Sequence, residues 1–170
     1  MKKTILVVAL GIITLVSSFT VNEEVNGKKV PSVKNIKDVE GNSINTSEVS
    51  NDGKPIVISF WATWCKPCKL ELSTINEVYE DWQEETGVKL VAVSIDNERT
   101  KNMVKPYINA ESWEYDIWMD VNGDLKRAMG VNNVPHTFLL DGNGNIVYSH
   151  SGFVPGDEEE LYDHILELVK

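Results

Sequence analysis

The chain has 170 residues, of which 42% are hydrophobic and 25% are charged, and its formal net charge is −10, with an isoelectric point near 4.7. A chain of this size and composition can bury the core of one globular domain. The acidic balance argues against nucleic acid and against an anionic membrane surface as partners.

The N-terminus has the pattern of an export signal. Lys2 and Lys3 precede an apolar run over residues 5–16, and two serines follow it. A basic segment, a short apolar segment and small residues are typical of a secretory signal peptide, so we expect residues 1–18 to direct export to the periplasm or another extracytoplasmic space. A longer apolar stretch over residues 5–21 could instead remain as a membrane anchor, and this alternative stays open.

A polar linker and a peripheral hairpin are predicted next. Residues 19–30 are largely polar and show no periodicity, so we expect a linker there and a folded domain over residues 31–170. Within residues 33–44, short β-like pieces flank Gly41 and Asn42, a pair that is typical of a turn. We therefore expect a hairpin at the edge of the domain.

A buried strand and a long helix enclose two cysteines. Residues 56–62 are apolar on both faces except at Ser59, as expected in a buried parallel sheet. The helix after the cysteines is predicted to run to Gly87, with one apolar side formed by Leu72, Ile75, Tyr79 and Trp82. A second buried strand over residues 88–95 follows at once, and this order implies a right-handed parallel crossover.

The second half of the chain continues the alternation of helices and strands. The predicted elements are a helix over 97–109 that Pro106 kinks or ends, a strand over 113–119 and a short helix over 122–129. A hairpin formed by 134–140 and 146–149 follows. The closing helix is predicted to have Asp157 as its N-cap and an apolar face of Leu161, Ile165 and Leu168. Together the elements predict an α/β fold in which helices flank a central mixed β-sheet, with an N-terminal β-hairpin and an insertion before the strand at residue 134.

The two cysteines of the sequence, Cys65 and Cys68, are separated by two residues at the junction of strand and helix. This spacing is typical of a redox-active dithiol at a helix N-terminus, in which Cys65 attacks and Cys68 resolves. A structural disulfide that closes so short a loop would stabilise little. A zinc site normally needs four ligands, and the three histidines lack finger-like spacing.

The stretch FWATWCKPC, residues 60–68, resembles the active-site segment of thioredoxin-like proteins, and especially of exported thiol–disulfide oxidoreductases of the TlpA/ResA type. The resemblance extends over about residues 31–170. It implies a thioredoxin-like fold, no cofactor, protein disulfides as substrates and a membrane protein as electron donor. It further implies a reductase that serves cytochrome c maturation or general thiol homeostasis, and we expect a monomer.

The resemblance also assigns roles near the dithiol. Pro135 matches the cis-proline of thioredoxin-like proteins, and the backbone of Val134 would then pair with an extended substrate segment. Without the resemblance, Pro135 would be an ordinary proline at a strand start. Glu71 follows Cys68 by three residues and should face inward, where it could take the proton of Cys68. Relatives of the ResA type carry a glutamate at this place, while a solvated helix acid is the alternative.

Several neighbours of the dithiol are expected to tune it or to touch the substrate. Lys66 adds positive charge and Pro67 suits the first helical turn, so both should tune the dithiol. Trp61 and Trp64 are expected as packing and rim groups, with Trp64 tuning the site and Trp61 contacting the substrate.

Two other classes of function are compatible with some of these residues. A copper chaperone could bind the metal through Cys65, Cys68 and His136, and a structural adhesive domain would need an inert dithiol. No metal site is the leading prediction, because the spacing of Asp141, Asn143 and Asn145 lacks the glycine and glutamate of a calcium loop. His150 and His164 are expected at the surface.

Overall fold

Six strands form the central sheet in the computed structural model, which describes residues 27–170. In chain order the strands are β1 (Lys37–Asp38), β2 (Ile56–Trp61), β3 (Lys89–Ser94), β4 (Asp116–Met119), β5 (His136–Leu140) and β6 (Ile146–Ser151). Their order across the sheet is β1-β4-β3-β2-β5-β6. Strands β2, β3 and β4 are parallel, whereas β1, β5 and β6 pair antiparallel with their neighbours. The predicted mixed sheet is therefore confirmed.

Within residues 27–170, five α-helices pack on the two faces of this sheet. They are α1 (Lys66–Asn76), α2 (Tyr79–Thr86), α3 (Val104–Glu111), α4 (Asp124–Ala128) and α5 (Asp157–Val169). Buried side chains of α1, α2, α3 and α5 share one core with both cysteines, and α4 contributes Leu125 to a second core on the opposite face. The burial of every residue of β2 follows from this double covering.

The helix predicted to run from the cysteines to Gly87 is divided at Val78, which is a correction. Val78 has φ −122° and ψ 0°, outside the helical region, and its N–H bonds to the carbonyl of Ile75 at 3.0 Å. The break turns α2 so that the Tyr79 hydroxyl accepts the N–H of Leu90 in β3 at 2.8 Å. The apolar side survives, since Tyr79 and Trp82 are both buried.

Helices α3 and α5 also begin at other residues than predicted. Helix α3 begins at Val104, so Pro106 lies in its first turn, where a missing N–H costs no helical hydrogen bond. In α5 the N-cap is Gly156 and Asp157 is the first helical residue, whereas the prediction made Asp157 the cap. Leu168, predicted on the apolar face, is 36% exposed, so the buried face of this helix is formed by Leu161 and Ile165.

The start of the domain also differs from the prediction. Residues 27–30, assigned to the linker, are part of the fold, because Gly27 bonds to the carbonyl of Ile146 at 3.1 Å and Val30 is buried. The hairpin around Gly41 forms as expected, with Ile44 N–H bonded to the carbonyl of Ile36 at 2.9 Å. The predicted signal peptide or anchor lies outside the described residues. Within residues 27–170, no helix is long and apolar enough to cross a membrane.

Candidate active site

The two cysteines lie where β2 gives way to α1 and form a disulfide, with their Cα atoms 5.3 Å apart. Cys65 is the N-cap of α1, and its sulfur accepts the N–H of Cys68 at 3.3 Å. Cys65 keeps 5% of its surface exposed, whereas Cys68 is completely buried. This difference agrees with the expectation that Cys65 is the outer sulfur and therefore the one that a substrate disulfide can reach.

Hydrogen bonds to the buried side chain of Asp96 hold the loop that carries Cys65. One oxygen of this buried carboxylate accepts the N–H of Thr63 at 2.8 Å and the hydroxyl of Ser94 at 2.9 Å, and the other accepts the Thr63 hydroxyl at 2.7 Å. These bonds fix the backbone two residues before Cys65. The sequence prediction did not include Asp96, although an acid directly after a buried strand is a signal that could have found it.

Glu71 is a buried acid on the same helix as Cys68. It is 3% exposed, and it accepts hydrogen bonds from the hydroxyls of Ser59 at 3.1 Å and Thr137 at 2.6 Å. Burial raises the pKa of Glu71 to about 7, although both hydrogen bonds oppose this rise because they favour the charged form. The expected inward orientation is thus present, and the solvated alternative is wrong. Ser59 serves here as a hydrogen-bond donor to the glutamate.

The loop before β5 brings Pro135 to the same end of the sheet. The Val134–Pro135 peptide bond is cis, which confirms the geometry that the resemblance implied. His136 is paired with Phe60 near the end of β2, so Val134 and Pro135 lie beside the segment that leads to Cys65. Val134 is half-buried and Pro135 is buried. Their roles toward a substrate stay predictions.

The aromatic and tuning residues separate into buried and exposed groups. Trp61, predicted to contact substrate, has no exposed surface and packs against Trp113 with ring centroids 5.0 Å apart, so this prediction is wrong. Trp64 is 61% exposed beside Cys65, as a rim group requires. Lys66 is exposed, and Pro67 lies in the first turn of α1 as predicted.

The histidines do not lie where the sequence suggested. His136 stacks on Phe138 with ring centroids 4.5 Å apart, and Phe138 belongs to the core on the face opposite the cysteines. Strand alternation therefore directs His136 away from the dithiol. Across residues 27–170, no three His, Cys, Asp or Glu side chains are grouped so that they could hold a metal ion. His150, predicted at the surface, is half-buried and lines a small void together with Glu71.

Comparisons with known proteins agree with a redox-active cysteine pair in a thioredoxin-like fold. The model of the AhpC/TSA family matches residues 26–149. A thiol–disulfide oxidoreductase ResA from Bacillus thuringiensis is 30% identical over 91% of this chain and 86% of its own length. The sporulation thiol–disulfide oxidoreductase A of Bacillus subtilis is 33% identical over 93% of this chain and 92% of its own length. The solution structure of a thioredoxin-like protein from Porphyromonas gingivalis superposes on this chain with a TM-score of 0.74. That protein is 51% identical, and the match covers 82% of this chain and 91% of the other chain.

Proposed function

Because this chain belongs to the thioredoxin-like AhpC/TSA family and is a thiol–disulfide oxidoreductase similar to the ResA proteins, we propose that it works as a reductase of protein disulfides outside the cytoplasm. Cytochrome c maturation and general thiol homeostasis are the two settings that this proposal includes. We assign the reactive roles to Cys65, Cys68 and Glu71.

The reaction proceeds by two thiol–disulfide exchanges. The Cys65 thiolate attacks a substrate disulfide, forms a mixed disulfide and releases one substrate sulfur as a thiolate. Cys68 then attacks the Cys65 sulfur, which closes the Cys65–Cys68 disulfide and releases the second substrate sulfur. Two electrons pass to the substrate, and a thiol-reducing membrane donor returns two electrons to the protein. The backbone of Val134 holds the substrate segment in extended form.

The observation that carries this proposal is the buried Glu71 carboxyl on the helix of Cys68. Cys68 has no exposed surface, so water cannot readily take its proton. A carboxyl with a pKa of about 7 can accept that proton and release it again near neutral pH. Cys65, at the exposed end of the helix, needs no such base. Glu71 therefore acts in the second exchange and not in the first.

Export is supported by the sequence alone. Lys2, Lys3 and the apolar run over residues 5–16 form the signal that leads the chain out of the cytoplasm, either as a cleaved peptide or as an anchor through residues 5–21. No observation on the described residues favours the copper alternative, because His136 lies on the other face of the sheet.

Stopped-flow kinetics of Glu71→Gln test the proposal. Glutamine has nearly the same shape but cannot take the proton, so we expect release of the mixed disulfide to slow by about 10²-fold while its formation changes little. Glu84→Gln, an exposed glutamate of α2, is the matched control and should leave both steps unchanged. Equal slowing of both steps, or no slowing, would contradict the assignment of Glu71.

A further inference from the structure

A row of polar side chains leads from the centre of the sheet to its edge. Ser59 of β2 lies directly opposite Thr137 of β5, and Thr137 lies directly opposite His150 of β6, the edge strand. Residues in register on neighbouring strands point to the same face, so all three lie under the helices on the side of Glu71. Ser59 and Thr137 bond to Glu71, and His150 is the next member of the row.

Glu71 and His150 both line one small void. Its volume is about 10 Å³, close to the least that one water molecule needs, and its wall combines the apolar side chains of Ile75 and Leu161 with several polar ones. The polar groups include Glu71, Thr137, His150 and Asp157. A water in this void would therefore find the two to four hydrogen-bond partners that a buried water requires.

His150 and Asp157 form the outer wall of this void. Nε2 of His150 lies 3.1 Å from an oxygen of Asp157, but it is buried and has no hydrogen-bond partner in this geometry. The same Asp157 oxygen accepts the N–H of Val154 at 2.8 Å. The two side chains are 30% and 23% exposed, so the pair reaches both the void and the solvent.

We propose that His150 and Asp157 are the port through which Glu71 exchanges its proton with solvent, by way of one water in the void. Glu71 donates its proton to the water, the water donates one to Nε2 of His150, and the resulting imidazolium releases a proton to solvent from its exposed edge. The Asp157 carboxylate stabilises the imidazolium while it lasts. No electron moves, and the carboxylate of Glu71 is left ready for another proton.

The other groups around the void are compatible with this path. Tyr148 and Glu158 also line it, and burial raises the pKa of Tyr148 to about 12, so its hydroxyl stays neutral. Electrostatically, His150 favours the ionised form of Glu71 and Asp157 favours the protonated form. The inference rests on the proposed function in one respect: the proton that Glu71 exchanges with solvent is taken to be the one that it accepts from Cys68.

The test follows Glu71 directly and does not depend on its part in disulfide exchange. In the oxidised protein, the infrared band of the protonated carboxyl, assigned by its loss in Glu71→Gln, is recorded after a laser-triggered pH jump. We expect its rate of change to fall about 10²-fold in His150→Gln. His164→Gln is the matched control, because His164 lies on α5 near Glu160 and Glu167 and does not line the void, and it should keep the wild-type rate.

Rescue separates proton transfer from a structural effect. Added imidazole should restore the rate in His150→Ala, where the side chain leaves room for it, and should not change the rate of the wild type. An unchanged rate in both His150 variants would overturn the port, as would a slow His150→Ala that imidazole does not restore. If Glu71→Gln leaves mixed-disulfide release unchanged but the His150 variants slow proton exchange, the proposed function fails and the port stands.

Discussion

The stability of the oxidised protein should depend on pH through Glu71. Its pKa rises from the usual 4.5 to about 7 on folding, because the carboxyl is buried. Between these values the folded chain keeps a proton that the unfolded chain gives up, so the free energy of unfolding falls as the pH rises. The difference between the two pKa values corresponds to about 3 kcal/mol of stability, which is present in full below pH 4.5 and lost above pH 7.

Glu71→Gln removes this dependence, since the amide carries no charge at any pH. The free energy of unfolding of the variant minus that of the wild type should therefore increase by about 3 kcal/mol from pH 4.5 to pH 8. Ser59 and Thr137 keep a hydrogen-bond partner in the variant. Denaturant unfolding at several pH values measures this, with the disulfide intact so that the cysteines do not titrate. Glu84→Gln should run parallel to the wild type. Parallel curves for Glu71→Gln as well would refute the burial argument.

Two further predictions concern the same site, and a third concerns export. Cys68→Ser should accumulate mixed disulfides with its substrates and Cys65→Ser should not, which gel analysis under non-reducing conditions can show; the reverse pattern would exchange their roles. Thr137→Val should raise the pKa of Glu71 by at least about one unit, because a hydrogen bond to the charged form is lost. An NMR titration of the carboxyl measures this pKa, and an unchanged value would contradict the prediction. The protein isolated from its own cells should begin near Phe19 or remain membrane-bound, and N-terminal sequencing that finds residue 1 in a soluble cytosolic protein would exclude export.

The features that the sequence predicted well are those with local signals. The apolar run of β2, the CKPC segment and the Gly/Asn turn of the last hairpin each specify their structure within a few neighbouring residues. The cis bond before Pro135 came from the resemblance, because composition alone gives no such signal. Glu71 was found because three residues separate it from Cys68 on one helix.

The features that escaped depend on contacts between distant segments. The break at Val78 accompanies a bond between Tyr79 and Leu90 of a later strand, which no periodicity within the helix reveals. His150 reaches Glu71 through the register of three strands, and a shift of one residue would turn it to the other face. Trp61 lies near Cys65 in sequence, but alternation along β2 directs its side chain into the core, away from any substrate.

The reduction potential of the Cys65–Cys68 couple tests the reductase assignment most directly. The Cys65 sulfur receives the N–H of Cys68, Lys66 adds one nearby positive charge, and the chain is strongly acidic, so the thiolate should be stabilised only modestly. Equilibration with glutathione, followed by the fluorescence of the exposed Trp64 beside Cys65, gives the potential. We expect a value nearer to thioredoxin, at about −270 mV, than to DsbA, at about −120 mV. A potential above about −150 mV would contradict the assignment and make the protein an oxidant of thiols.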